Sequence, residues 1–144
     1  QTGRGWRAKG GSPFALQRII LDANIPVQAI KTVRVTKQGF AIHFTQPQVK
    51  TEAYGSIQCS SWYYLNSKGY GSDEKGMRQE NIITRSWNEG KTVCNIVLEN
   101  FAVTKGQSSD SSRVYLLDLS KTALAEKCDP RFAMAFYTLH KIPN

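Results

Sequence analysis

Residues 30–44 contain the pattern that most restricts how this chain can fold, because apolar and polar side chains alternate along two consecutive segments. In residues 30–36, two valines share one face with Lys31, while threonines and an arginine occupy the other. In residues 40–44, three large apolar side chains alternate with an alanine and a histidine, and residues 37–39 supply a Lys-Gln-Gly turn between the segments. This period of two predicts an antiparallel hairpin with one buried face.

Similar short segments recur along the rest of the chain and are separated by turn-forming residues. Beyond the hairpin, strands are predicted at residues 14–21, 56–64, 82–87, 93–98, 114–119 and 132–140. For the first of these, a short helical turn is the alternative. A long polar loop is predicted at residues 66–79, and one helical turn at residues 121–127. Seven or eight strands without alternating helices predict an all-β antiparallel sandwich.

The length of the chain favours a single domain, since 144 residues can bury roughly two thirds of their unfolded surface in one core. We assign residues 1–13, which are rich in glycine and cations, to an N-terminal linker and residues 14–144 to one β-sandwich domain. The apolar runs are far shorter than the roughly 20 residues that cross a bilayer, so no transmembrane segment is expected. Because Gln1 is not a natural start and no signal-peptide pattern follows it, we expect a segment of a longer polypeptide.

The net charge of +8 is concentrated in the first third of the chain. Residues 1–50 contain eight Lys or Arg against one acid, whereas residues 51–144 contain eleven against ten. Such asymmetry is typical of proteins that contact nucleic acid or other acidic surfaces. Because the cations are spread over predicted strands and a linker, solubility or docking on an acidic neighbouring domain is favoured over nucleic-acid binding.

The three cysteines lack the spacing of zinc sites and of haem-attachment motifs, so no metal site is expected. Cys59 and Cys94 both lie in predicted strands and are candidates for a disulfide in an oxidising compartment, which would leave Cys128 free. The alternative is that all three are reduced thiols, which is equally ordinary for buried cysteines.

No catalytic motif is present in the sequence. His43 and His140 lie far apart and outside any recognised motif, and the Gly-x-Ser-x-Gly turn of serine hydrolases is absent. Asp73 and Glu74 are adjacent acids in a predicted polar loop, where solvation is the default. The sequence therefore predicts that this chain alone is not an enzyme.

An aromatic cluster in residues 60–74 is the strongest candidate for ligand binding. Its aromatic members are Trp62, Tyr64 and Tyr70, and Glu74 is a further candidate beside them. Such rings would stack on a sugar while nearby Asn and Ser side chains bond its hydroxyls, but the same residue types suit a nucleobase or a protein interface. Aromatics on strands more often serve as core or cross-strand partners, so a structural role is favoured. Gly69 and Gly71 are expected to supply positive φ angles for the turn.

Several stretches, taken in order, carry a resemblance to a known family. They are residues 1–6 (Gln-Thr-Gly-Arg-Gly-Trp), residues 11–18 (Gly-Ser-Pro-Phe-Ala-Leu-Gln-Arg), Gly39-Phe40, residues 44–47, Trp62 with Tyr64, residues 70–72 with Glu74, residues 136–139 and Ile142-Pro143. Their order and spacing resemble the domain that follows the β-propeller in large bacterial proteins of the glucose/sorbosone dehydrogenase-like group. The likeness runs almost from end to end of the chain.

The resemblance implies an immunoglobulin-like sandwich, periplasmic or extracellular, that serves as an accessory module beside an oxidoreductase propeller and in some proteins near a cytochrome c domain. The propellers of that group are similar to sugar dehydrogenases that use pyrroloquinoline quinone. The quinone, its calcium and the catalytic base would therefore belong to the propeller, and no cofactor to this chain. Three cysteines are not part of the family's pattern.

We therefore expect a non-catalytic domain that packs against, or presents partners to, a sugar-oxidising propeller. Its contact surface would use residues 62–74 and the basic N-terminal segment. The N-terminal candidates are Arg4, Trp6, Arg7 and Phe14. Two alternatives stay open. One is a carbohydrate-binding module whose Trp62, Tyr64 or Tyr70 lines an exposed groove, and the other is a nucleic-acid binder whose cations converge on one face.

Overall fold

The structure, a computed structural model, describes residues 20, 24, 26–65, 71–101, 112–126, 128–140 and 142. Its elements are eight β-strands and two short 3-10 helices. The strands are β1 (Ile30–Thr36), β2 (Gly39–Phe44), β3 (Gln58–Tyr63), β4 (Lys75–Gln79), β5 (Ile82–Trp87), β6 (Val93–Leu98), β7 (Arg113–Asp118) and β8 (Met134–Leu139). The 3-10 helices are Thr51–Ser56 and Pro130–Ala133. The predicted linker at residues 1–13 lies outside the described residues, as does nearly all of the strand predicted at residues 14–21.

The strands form two four-stranded antiparallel sheets that pack face to face. The first sheet has the order β1-β2-β6-β5 and the second has the order β4-β3-β7-β8. Along the chain, β1 and β2 belong to the first sheet, β3 and β4 to the second, β5 and β6 to the first, and β7 and β8 to the second. This is the immunoglobulin arrangement of strands A, B, E and D facing G, F and C, with one further strand beside C. The predicted all-β, immunoglobulin-like antiparallel sandwich is confirmed.

The core lies between the sheets and is built from every second residue of the central strands. Burial alternates at each residue of β6 and β7, because successive side chains of a strand project to opposite faces. The largest fully buried side chains are Phe40, Ile42, Tyr54, Ile96, Tyr115, Leu117, Leu119 and Leu124. Tyr54 and Leu124 come from the β2–β3 and β7–β8 connections. These connections are joined by the hydrogen bond from Ser56 Oγ to the Lys121 carbonyl, and they close one end of the sandwich.

The β1–β2 hairpin forms where the alternation predicts it, with Val33 opposite Ile42 and Thr36 opposite Gly39. Lys31, which was predicted to share a face with Val33 and Val35, is the one position of β1 that departs from regular alternation. The register shifts between Ile30 and Thr32, so the intervening Lys31 is the extra residue of a β-bulge.

Two sequence predictions are corrected by the structure. The predicted polar loop is wrong in its second half, where Lys75–Gln79 forms β4. This strand lies at a sheet edge with four of its five residues exposed, so it carries no apolar alternation that a sequence pattern would show. Residues 120–126 form separate turns instead of one helical turn. The other five strands, β3 and β5 to β8, lie within two residues of their predicted bounds.

Candidate docking surface

The outer face of the second sheet carries apolar side chains on its three six-residue strands. Residues that pair across an antiparallel sheet project from the same face. Trp62 pairs with Val114, and Leu116 pairs with both Ser60 and Phe136. Because the intervening residues of β7 face the core, these side chains point away from it.

This surface, termed the outer apolar face, consists of Trp62, Val114, Leu116, Met134 and Phe136. Phe136 is 65% exposed, and the two β7 residues and Met134 are half-buried. Antiparallel sheets commonly present polar residues on the face that is turned from the core. A contiguous apolar patch there is typical of a surface that binds a partner.

Trp62 is the buried member of the outer apolar face and packs against Phe136. It is only 5% exposed, and its ring contacts that of Phe136 edge-on with centroids 6.3 Å apart. Its Nε1 is buried and has no hydrogen-bond partner among the described residues. A ring buried to this extent cannot stack flat against a sugar, so Trp62 does not line an exposed groove as the carbohydrate-binding alternative expects.

Tyr64 and Glu74 lie close together beyond the end of β3. Tyr64 is 44% exposed, and its hydroxyl lies 3.5 Å from Glu74 Oε1, at the limit of hydrogen bonding. The Leu65 amide donates to Ser72 Oγ at 3.0 Å and joins the two sides of this connection. The predicted positive φ of Gly71 is confirmed at 81°, whereas Gly69 lies outside the described residues.

A buried polar cluster lies between the sheets near the end of β3. Arg113 donates from Nε to Ser61 Oγ at 2.7 Å and from Nη2 to the Gly76 carbonyl at 2.6 Å. Glu80 Oε1 accepts hydrogen bonds from the Ser61 hydroxyl and, at 2.7 Å, from Arg78 Nε. The side chains of Arg113 and Glu80 are 8% and 5% exposed, respectively. The cluster therefore joins β3, β4 and β7 through charge-assisted hydrogen bonds.

The two arginines share one carboxylate, and their pKa values move in opposite directions. Burial lowers the pKa of Arg113, and the nearby charge of Arg78 lowers it further. Burial also acts to lower the pKa of Arg78, but the hydrogen bond and charge of Glu80 outweigh it and raise that pKa. Guanidinium groups stay protonated in proteins, so both arginines can act as hydrogen-bond donors and neither as a catalytic base.

The candidate disulfide is not formed, since Cys59, Cys94 and Cys128 are all free thiols. Cys59 on β3 and Cys94 on β6 fill core positions on opposite sheets and are essentially fully buried. Burial raises the pKa of Cys59 to about 12 and that of Cys94 to about 11. A thiol that remains protonated at neutral pH is a poor nucleophile for disulfide exchange, so these two cysteines serve as small apolar core residues.

The N-terminal contact candidates cannot be related to the outer apolar face, because they lie outside the described residues, as does Tyr70. These N-terminal candidates are Arg4, Trp6, Arg7 and Phe14. Among the remaining cations of residues 1–50, Arg34 projects from the outer face of the first sheet beside Ala41. Lys50 lies 3.8 Å from Glu126 in an exposed ion pair. These two cations therefore lie in different elements, one in β1 and the other in the connection after β2.

Ser112 and His140 meet at the exposed end of the β7–β8 pair, with Ser112 Oγ 2.5 Å from His140 Nδ1. In the part of the chain that the structure describes, no carboxylate bonds to this imidazole, whereas a catalytic triad uses one to orient it. Within the described ranges, no group of three or more His, Cys, Asp or Glu is placed to hold a metal ion. Those ranges also contain no helix that is long and apolar enough to cross a membrane.

No family model, curated protein or solved structure matches this chain. The resemblance to a domain that follows dehydrogenase propellers therefore stays a prediction.

The sequence predictions did not include Val114, Leu116 and Phe136 as surface residues, although the sequence contains a signal for them. Residues 114–117 read Val-Tyr-Leu-Leu, and residues 132–137 read Phe-Ala-Met-Ala-Phe-Tyr. Both runs are apolar at consecutive positions, which is typical of strands that are covered on both faces. Trp62 lies on the same sheet face as Phe136, but the ring of Phe136 is far more exposed than that of Trp62.

Proposed function

We propose that this chain is a non-catalytic accessory domain of a sugar-oxidising, quinoprotein-like dehydrogenase, located in the periplasm or outside the cell. In this proposal the chain packs through its outer apolar face against the propeller or against a partner such as a cytochrome c domain. Pyrroloquinoline quinone and calcium would belong to the propeller, and no residue of this chain is assigned to them.

The observation that supports docking is the 65% exposure of Phe136 within an apolar sheet face. Removing a phenylalanine side chain from water contributes about 1.5–3 kcal/mol, so a partner that covers it gains a substantial part of its binding free energy there. The half-buried Val114, Leu116 and Met134 extend the apolar area around it. The net charge of +8 favours a partner with an acidic surface.

The link to a dehydrogenase is tested on the native polypeptide, isolated with an antibody raised against this chain. Mass spectrometry is expected to identify propeller peptides within the same polypeptide. A native polypeptide without propeller sequence would overturn the proposed function.

Docking is tested by hydroxyl-radical footprinting of that polypeptide and of the isolated chain. Oxidation of Met134 and Phe136 is expected to be lower in the native polypeptide, because the propeller covers them. After the connection between the domains is cleaved, Phe136→Ser should release the chain. The matched control is Ile83→Ser, which alters a side chain that is 56% exposed on β5 and should leave the domains together. Equal oxidation of the two forms would contradict docking through the outer apolar face.

Among the described residues, the carbohydrate-binding alternative relies on Tyr64, which is exposed beside Glu74, whereas Tyr70 lies outside them. It is tested by titrating the isolated chain with a panel of soluble oligosaccharides while following tryptophan fluorescence. A saturable change that is lost in Tyr64→Ala would favour this alternative over an accessory docking domain.

A further inference from the structure

The four edge strands of the sandwich differ in how they are protected against pairing with another strand. The pairing of β1 with β2, of β4 with β3 and of β5 with β6 each contains a register shift. Each of these three edge strands also carries at least one Lys or Arg. Bulges and charges are the usual devices that block edge-to-edge pairing. β8, with the sequence Met-Ala-Phe-Tyr-Thr-Leu, has neither, since it pairs with β7 in regular register over six residues and carries no charge.

The hydrogen-bonding groups at the free edge of β8 follow from the ladder that it forms with β7. The Leu119 amide donates to the Ala133 carbonyl at 2.8 Å, and bonded and non-bonded pairs alternate along an antiparallel ladder. Met134, Phe136 and Thr138 therefore belong to non-bonded pairs, and their backbone N–H and C=O groups point away from β7. Among the described strands, β8 pairs with β7 alone.

A groove of about 350 Å³ lies beside this edge, between β8 and β1. Its lining combines apolar residues of both strands with Phe132, which is 61% exposed, and with the cations Lys31 and Arg131. Arg131 is paired with Asp129 at 2.7 Å. Lys31 forms no ion pair with any described residue, so it supplies the uncompensated positive charge of the groove.

We propose that an extended acidic peptide segment of a partner protein lies in this groove and adds a strand to the free edge of β8. Its backbone would pair with Met134, Phe136 and Thr138, as in other cases of strand addition, while one apolar side chain packs beside Phe132. A carboxylate of the segment would meet Lys31. β8 is about 20 Å long, which accommodates six residues of the added strand. The inference rests on the proposed docking role but does not require the partner to be a propeller.

The test uses the isolated chain and a blocked synthetic peptide, Ile-Glu-Val-Glu-Val-Thr, followed by amide NMR. Saturable shifts and slower amide exchange are expected at Met134, Phe136 and Thr138, with no change along β5. The control peptide carries Lys in place of both Glu residues and is expected to bind more weakly. No binding of the acidic peptide, equal binding of the two peptides, or shifts centred on another edge would overturn the proposal.

Two variants then separate backbone pairing from charge. Thr138→Pro removes an outward-pointing N–H and should weaken peptide binding about tenfold, whereas Thr138→Ala keeps that N–H and should bind as the unaltered chain does. Lys31→Gln should weaken binding about two- to fivefold, as expected for loss of an exposed ion pair. If Thr138→Pro does not fold, the exchange rates of the three amides in the unaltered chain decide the question.

The two proposals fail in distinguishable ways. Absence of peptide binding would overturn strand addition without affecting the search for propeller peptides in the native polypeptide. Absence of a propeller would overturn the dehydrogenase assignment, whereas peptide binding at β8 would still establish a strand-addition site.

Discussion

The ring of Phe40 on β2 meets the ring of Tyr115 on β7 edge-on across the sandwich, with centroids 5.2 Å apart. Phe40 also contacts the rings of Phe101 and Tyr137, at 5.1 and 5.2 Å. Antibody domains join the corresponding strands, B and F, by a disulfide. In this chain a group of four aromatic rings holds the two sheets together at that place, so this connection does not depend on the redox state of cysteine.

Phe40→Ala should therefore lower the free energy of unfolding by about 3–5 kcal/mol, because it leaves a cavity among three rings. Phe136→Ala is the control, since it truncates an exposed ring and should change the isolated chain by about 0.5 kcal/mol or less. Urea denaturation of both variants measures the difference. Equal losses would contradict the placement of Phe40 in the core and Phe136 at the surface.

Ser61→Ala should destabilise the chain by about 1–3 kcal/mol. The substitution removes the hydroxyl that accepts from Arg113 and donates to Glu80, and it leaves two buried charged groups each without one hydrogen bond. Ser60→Ala removes the neighbouring hydroxyl, which projects from the opposite face of β3, and should have little effect. Thermal unfolding of the two variants would reveal whether the buried polar cluster contributes to stability.

Gly39→Ala should disrupt the β1–β2 hairpin, because an added Cβ would lie 2.2 Å from the backbone carbonyl oxygen of Ile96. A clash with backbone cannot be relieved by a side-chain rotation, so a loss of about 1–3 kcal/mol or more is expected. Gly55→Ala provides the control, since its Cβ would meet no atom within 4 Å. That substitution should be neutral or stabilise the chain by up to about 1 kcal/mol. Equal denaturation midpoints for the two variants would rule out the close approach at Gly39.

The stability of the chain should fall at alkaline pH. The ordinary thiol pKa is 9.0, whereas burial raises the pKa of Cys59 to about 12 and that of Cys94 to about 11. As the pH rises above 9, the unfolded chain loses protons that the folded chain retains, so unfolding becomes more favourable until the folded pKa values are passed. The loss is expected to be on the order of 3 kcal/mol for each thiol.

The pH dependence is measured by urea denaturation at pH 8 and pH 11 in the presence of a reductant. Cys59→Val should show a smaller loss than the unaltered chain, because the valine does not ionise in the unfolded state. An identical loss in the two proteins would mean that Cys59 does not contribute. Thiol labelling of the folded chain should modify Cys128 first, since it is the only one of the three thiols that is partly exposed.

Much of the fold follows from local pattern. The β1–β2 hairpin forms where the sequence predicts it, because alternation of apolar and polar side chains depends only on neighbouring residues. Strands β5 and β6 also form at their predicted bounds, on either side of the Asn88-Glu89-Gly90 turn. β4 was not predicted, because its own residues show no apolar and polar alternation. An exposed edge strand needs one paired neighbour and no apolar face, so its stability comes from β3 and leaves no pattern in its own residues.

The candidate site was predicted less completely. The alternation in β3 places Ser61 and Trp62 on opposite faces, but only the second sheet's position relative to the first decides that Ser61 faces inward and Trp62 outward. The cluster of Ser61, Glu80 and Arg113 joins residues that are far apart in the sequence, so no motif of fixed spacing predicts it.

The sequence by itself determined an antiparallel all-β domain with a basic first third, because strand periodicity and charge are local properties of the chain. The tertiary structure alone decided that the sheets adopt an immunoglobulin-like order and that Cys59 and Cys94 stay unbridged. It also decided that Phe136 is 65% exposed and that, among the described strands, β8 pairs with β7 alone. These features depend on which face of each strand is covered by the other sheet. Packing between residues that are distant in the sequence determines which face is covered.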